Sequence, residues 1–220
     1  MKEIANLTDF LLALECAIFA FLLWHGGTGK MWTLMFGALA AASFAGGITH
    51  TFYEAPGTIE HLIWWDATLL CLGLTSIFLF SIALALWKCS SKGSLEVDSA
   101  GKPSVAIAVS SIVFVAYAVF VLTGLRPFLT AIVMYLPASI FLLVSIIRLS
   151  STNLVDFKHT SICGILGMAL TFIAAGLQQA KVEVPALMLN YNALYHIIQG
   201  IGLCLLFLYG GRIQGAGNKS

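Results

Sequence analysis

Charge is scarce in this chain. Asp, Glu, Lys and Arg make up only 10% of its 220 residues, whereas 60% are hydrophobic. A soluble domain averages about 25% charged residues. Because so few charges cannot keep a protein of this size in water, the composition predicts an integral membrane protein whose first partner is the lipid bilayer. The composition does not distinguish one membrane from another.

An excess of charge of one sign is also missing. The chain has 11 Lys and Arg against 10 Asp and Glu, which gives a net charge of +1. Proteins that bind nucleic acid neutralise phosphates with a basic surface. Nucleic acid is therefore not an expected partner, and the oligomeric state is left open.

The five cysteines form no spaced framework. Four lie inside apolar runs, namely Cys16, Cys71, Cys163 and Cys204. The fifth, Cys89, follows such a run. We therefore expect no disulfide scaffold. The HExxH pattern of many zinc enzymes is absent from the sequence as well.

Long apolar runs are what the chain has instead. A transmembrane helix needs about 20 mostly apolar residues. Seven runs approach or exceed this length: 8–25, 31–53, 60–87, 104–124, 127–148, 160–178 and 187–210. Each is expected to be helical, because a backbone in lipid must satisfy its own hydrogen bonds. The sequence predicts a single all-α domain over residues 1–220, a bundle of seven transmembrane helices in a multi-pass protein.

The Lys and Arg residues predict the orientation of this bundle. With seven spans, the amino terminus and three loops share one side, which holds Lys2, Arg126 and Lys181. The other eight of the 11 basic residues fall on the opposite side. The positive-inside rule then places the amino terminus outside and the carboxyl terminus inside. The stretch 89–103 is predicted to be a flexible connector on the inner side.

Polar residues inside the predicted spans fall at one depth. Intramembrane ionisable groups are costly and often functional. In the predicted topology, most of them lie in the outer half of the membrane or at its rim: Glu15, His50, Glu54, His61, Asp66, Asn192, His196 and Gln199. We therefore expect a polar pocket that opens outward.

Two spans place polar residues along one helical face. Both stripes follow the spacing i, i+4, i+7, i+11, which keeps side chains on the same side of a helix. The stripes are Ser43, Gly47, His50 and Glu54 in the second span, and Asn192, His196, Gln199 and Leu203 in the seventh. These faces are expected to point at other helices and not at lipid.

This residue set allows metal chemistry. Imidazoles and carboxylates bind zinc, and a catalytic zinc keeps one position for water. His50 and His196 would hold the metal, Asp66 would accept a proton from the water, and Ser43, Tyr195 or Gln199 would orient a substrate. The alternative is that His50, Asp66 and His196 form a hydrogen-bonded network that only fixes helix packing. The residues alone leave both readings open.

Three short stretches carry a resemblance to a known group of proteins. They are SFAGGITHTF in the second span, HLIWWDATLLCLGLTS in the third and NALYHIIQG in the seventh. In that order they resemble the seven-transmembrane hydrolase superfamily that includes alkaline ceramidases and the progestin and adiponectin receptors. The resemblance implies a zinc site with His50 and His196 as ligands, Asp66 as the site aspartate, and hydrolysis of a lipid amide or ester.

Two positions depart from that superfamily pattern. Gly46 stands where the pattern has a serine, and Ser43 lies one turn further from His50. Asn192 stands where the pattern has the first histidine of a pair, and asparagine is a poor zinc ligand. Either His61 or a carboxylate of Asp66, Glu15 or Glu54 completes the site, or the metal is lost.

Three functions follow as hypotheses. The first is a zinc-dependent hydrolase acting on a lipid amide or ester in the outward-opening pocket. The second is a non-catalytic, receptor-like protein that binds a lipid or small molecule, with Glu15, Glu54, His61, Asn192, Tyr195 and Gln199 around the ligand. The third is a proton-coupled transporter that uses Glu15, Asp66 and His196 as a relay. Whether the protein is an enzyme stays open at this point.

Overall fold

The computed structural model describes residues 2–27, 29–92, 105–124, 126–152 and 157–217. Within these ranges the chain forms seven α-helices and one 3-10 helix at Pro185–Leu187. The α-helices are α1 (Lys2–His25), α2 (Lys30–Phe52), α3 (Ile59–Lys92), α4 (Val105–Leu122), α5 (Phe128–Ser150), α6 (Phe157–Gln179) and α7 (Tyr191–Gly217). The predicted all-α class is confirmed.

Six of the helices are long and apolar enough to cross a membrane. The described apolar part of α4, Ala108–Leu122, is shorter than the others. Length and composition thus give the helices of a multi-pass membrane protein, as predicted. A seventh crossing and the orientation stay predictions. Of the predicted connector 89–103, the first residues continue α3 to Lys92, and the remainder lies outside the described residues.

The six long helices form a closed ring. Going round it, α1 packs on α2, α2 on α3, α3 on α5, α5 on α6, α6 on α7, and α7 returns to α1. The short α4 packs against α3. The ring has two distinct ends. We call the end at which α1 and α7 begin the cavity end, and the opposite end the apolar end.

Large apolar side chains fill the apolar end. Trp32, Phe36 and Tyr209 are buried to 2% exposure or less. The rings of Phe19 and Phe207 stack with their centroids 4.4 Å apart, and Trp32 meets Tyr209 edge to face at 6.0 Å. Aromatic pairs of this geometry add stability beyond the area they bury.

Two glycines set the position of α7 against α6. A Cβ on Gly167 would stand 2.7 Å from the carbonyl oxygen of Gly202, and a Cβ on Gly202 would stand 2.9 Å from that of Gly167. The two backbones therefore touch at a point where only glycine fits. Small residues allow this close approach between helices in a membrane.

The first and last helices differ from the predicted spans. α1 begins at Lys2, six residues before the predicted span, so the polar residues of the amino terminus belong to the helix. α7 begins at Tyr191 and not at residue 187. The start is later because Met188 takes a left-handed conformation, with φ of 55°, and the Asn190 side chain accepts a hydrogen bond from the Ala193 N–H at 2.9 Å. Asparagine is a favoured cap at this position.

Candidate functional site

A polar cavity of about 290 Å³ lies inside the ring at the cavity end. Its wall is shared among α1, α2, α3, α5, α6 and α7, and it reaches the surface near the exposed Lys181. Six residues predicted from the sequence line it together: Ser43, His50, Asn192, Tyr195, His196 and Gln199. The helical stripes of α2 and α7 are the local reason, because they turn these side chains to the inside of the ring.

His196 is held between two neighbouring residues of α1. Its Nε2 lies 3.2 Å from Asp9 Oδ1, and its Nδ1 lies 3.1 Å from Thr8 Oγ1. The two contacts fit a neutral imidazole whose Nε2–H donates to Asp9 while Nδ1 accepts from the Thr8 hydroxyl. Both ring nitrogens of His196 are therefore engaged by α1, and the predicted zinc ligand has no free nitrogen in this arrangement.

Asp9 and Thr8 were missed by reasoning from the sequence. Asp9 lines the cavity with a side chain only 5% exposed, and its second oxygen, Oδ2, is buried without a hydrogen-bond partner in the described part of the chain. A signal was available. Leu12 and Cys16 are buried on α1, and counting back along the same face from them leads to Asp9. The polar appearance of the first ten residues concealed this stripe.

Asp66 is paired with a cation. Arg126, in the connection between α4 and α5, donates from Nε to Oδ1 at 2.6 Å and from Nη2 to Oδ2 at 3.0 Å. The hydrogen bond to Asp66 raises the pKa of the Arg126 guanidinium above its ordinary value. Trp65 and Thr68 form the cavity wall at this level of α3. The geometry thus favours a structural role for Asp66 over the predicted activation of a water.

Glu54 belongs to the connection between α2 and α3, and His61 to the first turn of α3. Nδ1 of His61 lies 2.6 Å from the Tyr53 carbonyl oxygen, and its ring stacks on Trp65 with centroids 6.4 Å apart. Glu54 is exposed in the same connection. His61 therefore braces a loop, and neither residue is part of the cavity wall described above.

Glu15 faces a different space. It lines a groove of about 430 Å³ between α1 and α7, together with the exposed apolar residues Leu11, Ile197 and Ile201. Its Oε2 lies 2.7 Å from the place where a Cβ on Gly200 would stand. The groove opens on the outside of the ring, so the expected place of Glu15 in the polar pocket is corrected.

The metal-site expectation lacks its third ligand. The part of the chain that the structure describes contains no group of three or more His, Cys, Asp or Glu side chains that could hold a metal ion. Asn192, which departs from the superfamily pattern, instead accepts a hydrogen bond from Gln178 Nε2 at 3.1 Å and so links α7 to α6.

One family profile matches almost the whole chain, over residues 4–215. The chain belongs to DUF6962, a family of unknown function. The matched DUF6962 region begins in α1 and ends in α7, so it includes every residue of the cavity wall. No curated protein and no solved structure matches the chain. The resemblance to the seven-transmembrane hydrolases therefore stays a prediction.

Proposed function

We propose that this protein binds a small molecule in the polar cavity and that binding, not hydrolysis, is its principal activity. The proposal rests on which polar groups of the wall have hydrogen-bond partners and which do not. Thr8 and Asp9 occupy both ring nitrogens of His196, whereas oxygens of Asp9, Gln178 and Gln199 are buried without a partner among the described residues. Such a wall offers hydrogen bonds to a ligand and no free pair of metal ligands.

The size and lining of the cavity support this proposal. Small-molecule sites in proteins have volumes of about 300–1,000 Å³ and combine apolar walls with a few convergent polar groups. The cavity is near the lower end of that range, at about 290 Å³, and Trp65, Leu72 and Phe128 supply apolar surface beside the polar side chains. A compact ligand suits this space better than a long acyl chain.

We also propose that the cavity opens to the outer side of the membrane. Among the described residues, the cavity end carries three basic residues, Lys2, Arg126 and Lys181, whereas the apolar end carries six, Lys30, Lys88, Lys92, Arg148, Lys158 and Arg212. Arg126 is moreover neutralised by Asp66. The positive-inside rule then favours a cytoplasmic apolar end. The short α4 would be the seventh crossing, because α3 and α5 both begin at the cavity end.

A zinc-dependent hydrolase acting on a lipid amide or ester is the second candidate. It is favoured by the presence of His50, His196 and Ser43 on the wall of one cavity, and by the resemblance of three stretches to the seven-transmembrane hydrolases. The residues fit a metal incompletely, because His196 would have to release Thr8 or Asp9 and a third ligand is missing from the described set. A transporter using Glu15, Asp66 and His196 stays a prediction.

The test is a thermal-shift screen of the purified protein against small molecules. A ligand at a hundred times its Kd adds about 2.7 kcal/mol to the stability of a folded protein. For a chain of this size, that raises the melting temperature by roughly 5–10 °C. We expect the shift to vanish in Gly46→Leu, because Gly46 lines the cavity and a longer side chain would fill it.

Gly37→Leu is the matched control, since Gly37 lies on the same helix and a Cβ there meets nothing within 4 Å. If Gly46→Leu does not fold, Gly46→Ala against Gly37→Ala repeats the comparison with a Cβ that makes only ordinary contacts. Equal shifts in both glycine variants, or no stabilising compound in the library, would refute the proposal. Stoichiometric zinc that is lost in His50→Ala, together with lipid hydrolysis, would establish the second candidate instead.

A further inference from the structure

Three acceptor oxygens of the cavity wall are left without a donor. They are Oδ2 of Asp9, Oε1 of Gln178 and Oε1 of Gln199, each buried and each without a hydrogen-bond partner among the described residues. All three residues line the same cavity and come from three helices of the ring, α1, α6 and α7. A buried acceptor without a donor costs stability, so a cavity that collects three of them is suited to a molecule that carries donors.

Two donors of the wall are already in use. The Gln178 amide donates to Asn192, and the two contacts of His196 leave no spare N–H on its ring. Water can occupy the cavity of the free protein and donate to these oxygens. A ligand with several N–H groups would replace that water and, once these buried side chains turn toward it, reach more than one acceptor at once.

The wall carries a carboxylate, and like the acceptor oxygens this favours a ligand with a positive charge. The neutral imidazole of His196 leaves the Asp9 carboxylate uncompensated by a cation at hydrogen-bond distance. Among the described lining residues, Lys181 is the one Lys or Arg, and it is exposed at the mouth. Arg126, which is at the same end but outside the wall, is occupied by Asp66. An anion inside the cavity would therefore meet a carboxylate and two amide oxygens, and a cation would meet favourable partners.

Aromatic rings complete the wall. Trp65, Tyr191 and Tyr195 line the cavity beside the acceptor oxygens. The face of an aromatic ring attracts an ammonium or guanidinium group, most strongly where water is excluded. Acceptor oxygens, one carboxylate and aromatic rings together make a site for an organic cation.

We infer that the ligand of this cavity is a small, water-soluble organic cation, with an ammonium or amidinium group bound by Asp9, Gln178 and Gln199. The inference rests on the proposed binding function and specifies its ligand class. Asp9 supplies the charge, and the two amide oxygens supply further acceptors. The apolar part of the cation would lie against Trp65 and Tyr195.

The experiment compares compounds that share a skeleton and differ in charge. Each set contains an amine, the alcohol and the carboxylate of one carbon frame, for example 2-phenylethylamine, 2-phenylethanol and phenylacetate. Frames of several sizes are titrated against the full-length protein in lipid nanodiscs, and binding is measured by melting temperature and by calorimetry. We expect the amines to bind best and the carboxylates not to bind, with a preference of roughly tenfold or more for amine over alcohol.

Two variants of α1 locate the charge that gives this preference. Asp9→Asn keeps the shape of the side chain and removes its charge, so the preference for amines should fall by roughly tenfold. Glu15→Gln removes a carboxylate from the same helix but from the outer groove, and should leave the preference unchanged. If Asp9→Asn does not fold, Gln199→Met removes one acceptor at similar length and should also weaken amine binding.

The outcomes separate this inference from the proposal beneath it. Cavity binding that is abolished by Gly46→Leu but prefers alcohols or carboxylates would overturn the cationic ligand and leave the binding function standing. Loss of the amine preference in Glu15→Gln and not in Asp9→Asn would move the site to the groove and overturn the inference as well. Absence of cavity-dependent binding by compounds of every charge would refute both.

Discussion

The two ends of the ring are built from the same helices and use them differently. The first turns of α7 turn Asn192, His196 and Gln199 toward the cavity, whereas its later turns bury Leu206 and Tyr209 in the apolar core. The apolar end fills its interior with large side chains, and the cavity end leaves about 290 Å³ unfilled. One helical scaffold thus separates the part that stabilises the fold from the part that is available to a ligand.

The polar residues of the cavity end also fall into two groups. Asp66 with Arg126, and His61 with the Tyr53 carbonyl, hold connections between helices in place. His196 with Asp9 lies within the wall and leaves one carboxylate oxygen without a partner. A buried polar group that is fully bonded supports structure, and one that is partly bonded can take a further bond from water or a ligand.

The largest expected difference between the two ends concerns side-chain volume. Phe36 is fully buried at the apolar end, so Phe36→Ala should lower the free energy of unfolding by about 3–5 kcal/mol. Ser43, on the same helix, lines the cavity, and Ser43→Ala should change it by less than about 0.5 kcal/mol. Melting temperatures in one detergent measure both. Comparable losses would mean that the cavity end is packed as tightly as the core.

The next effect concerns the contact that sets α7 in place between the two ends. Gly167→Ala forces a Cβ against the Gly202 carbonyl, 2.7 Å away, and should cost about 1–3 kcal/mol or more because backbone atoms cannot move aside easily. Gly176→Ala on the same helix meets nothing within 4 Å and should be neutral or slightly stabilising. Thermal unfolding of the pair reports the difference. A neutral Gly167→Ala would show that α6 and α7 are further apart than described.

The smallest effect concerns the ion pair at the cavity end. Arg126→Gln removes both hydrogen bonds to Asp66, and because the pair is partly exposed the fall in melting temperature should be small. Lys181→Gln removes the same charge from an exposed position and should have no measurable effect on stability. The two variants are compared at low and high salt, where screening should shrink only the Arg126 effect. If both variants lost the same stability, and salt did not change the loss, the ion pair would not stabilise the cavity end.

Much of the cavity was predictable because its signals are local. The spacing of Ser43 and His50 on α2, and of Asn192, His196 and Gln199 on α7, follows from 3.6 residues per turn and needs no knowledge of neighbours. The predicted spans matched helices of the structure, except that α1 and α7 begin at other residues. The polar first turns of α1 belong to the helix, and the cap at Asn190 delays the start of α7. The partners of these side chains were beyond such reasoning.

Composition and helical period depend only on the order of residues, so the sequence was enough to predict a multi-pass helical protein and the polar faces of its helices. The contact of Asp9 with His196, the pairing of Arg126 with Asp66 and the position of Glu15 in the outer groove became visible in the folded structure. These pairings depend on which helices are neighbours and how each is rotated. Rotation and order are set by close packing, such as the contact of Gly167 with Gly202, between residues far apart in the chain.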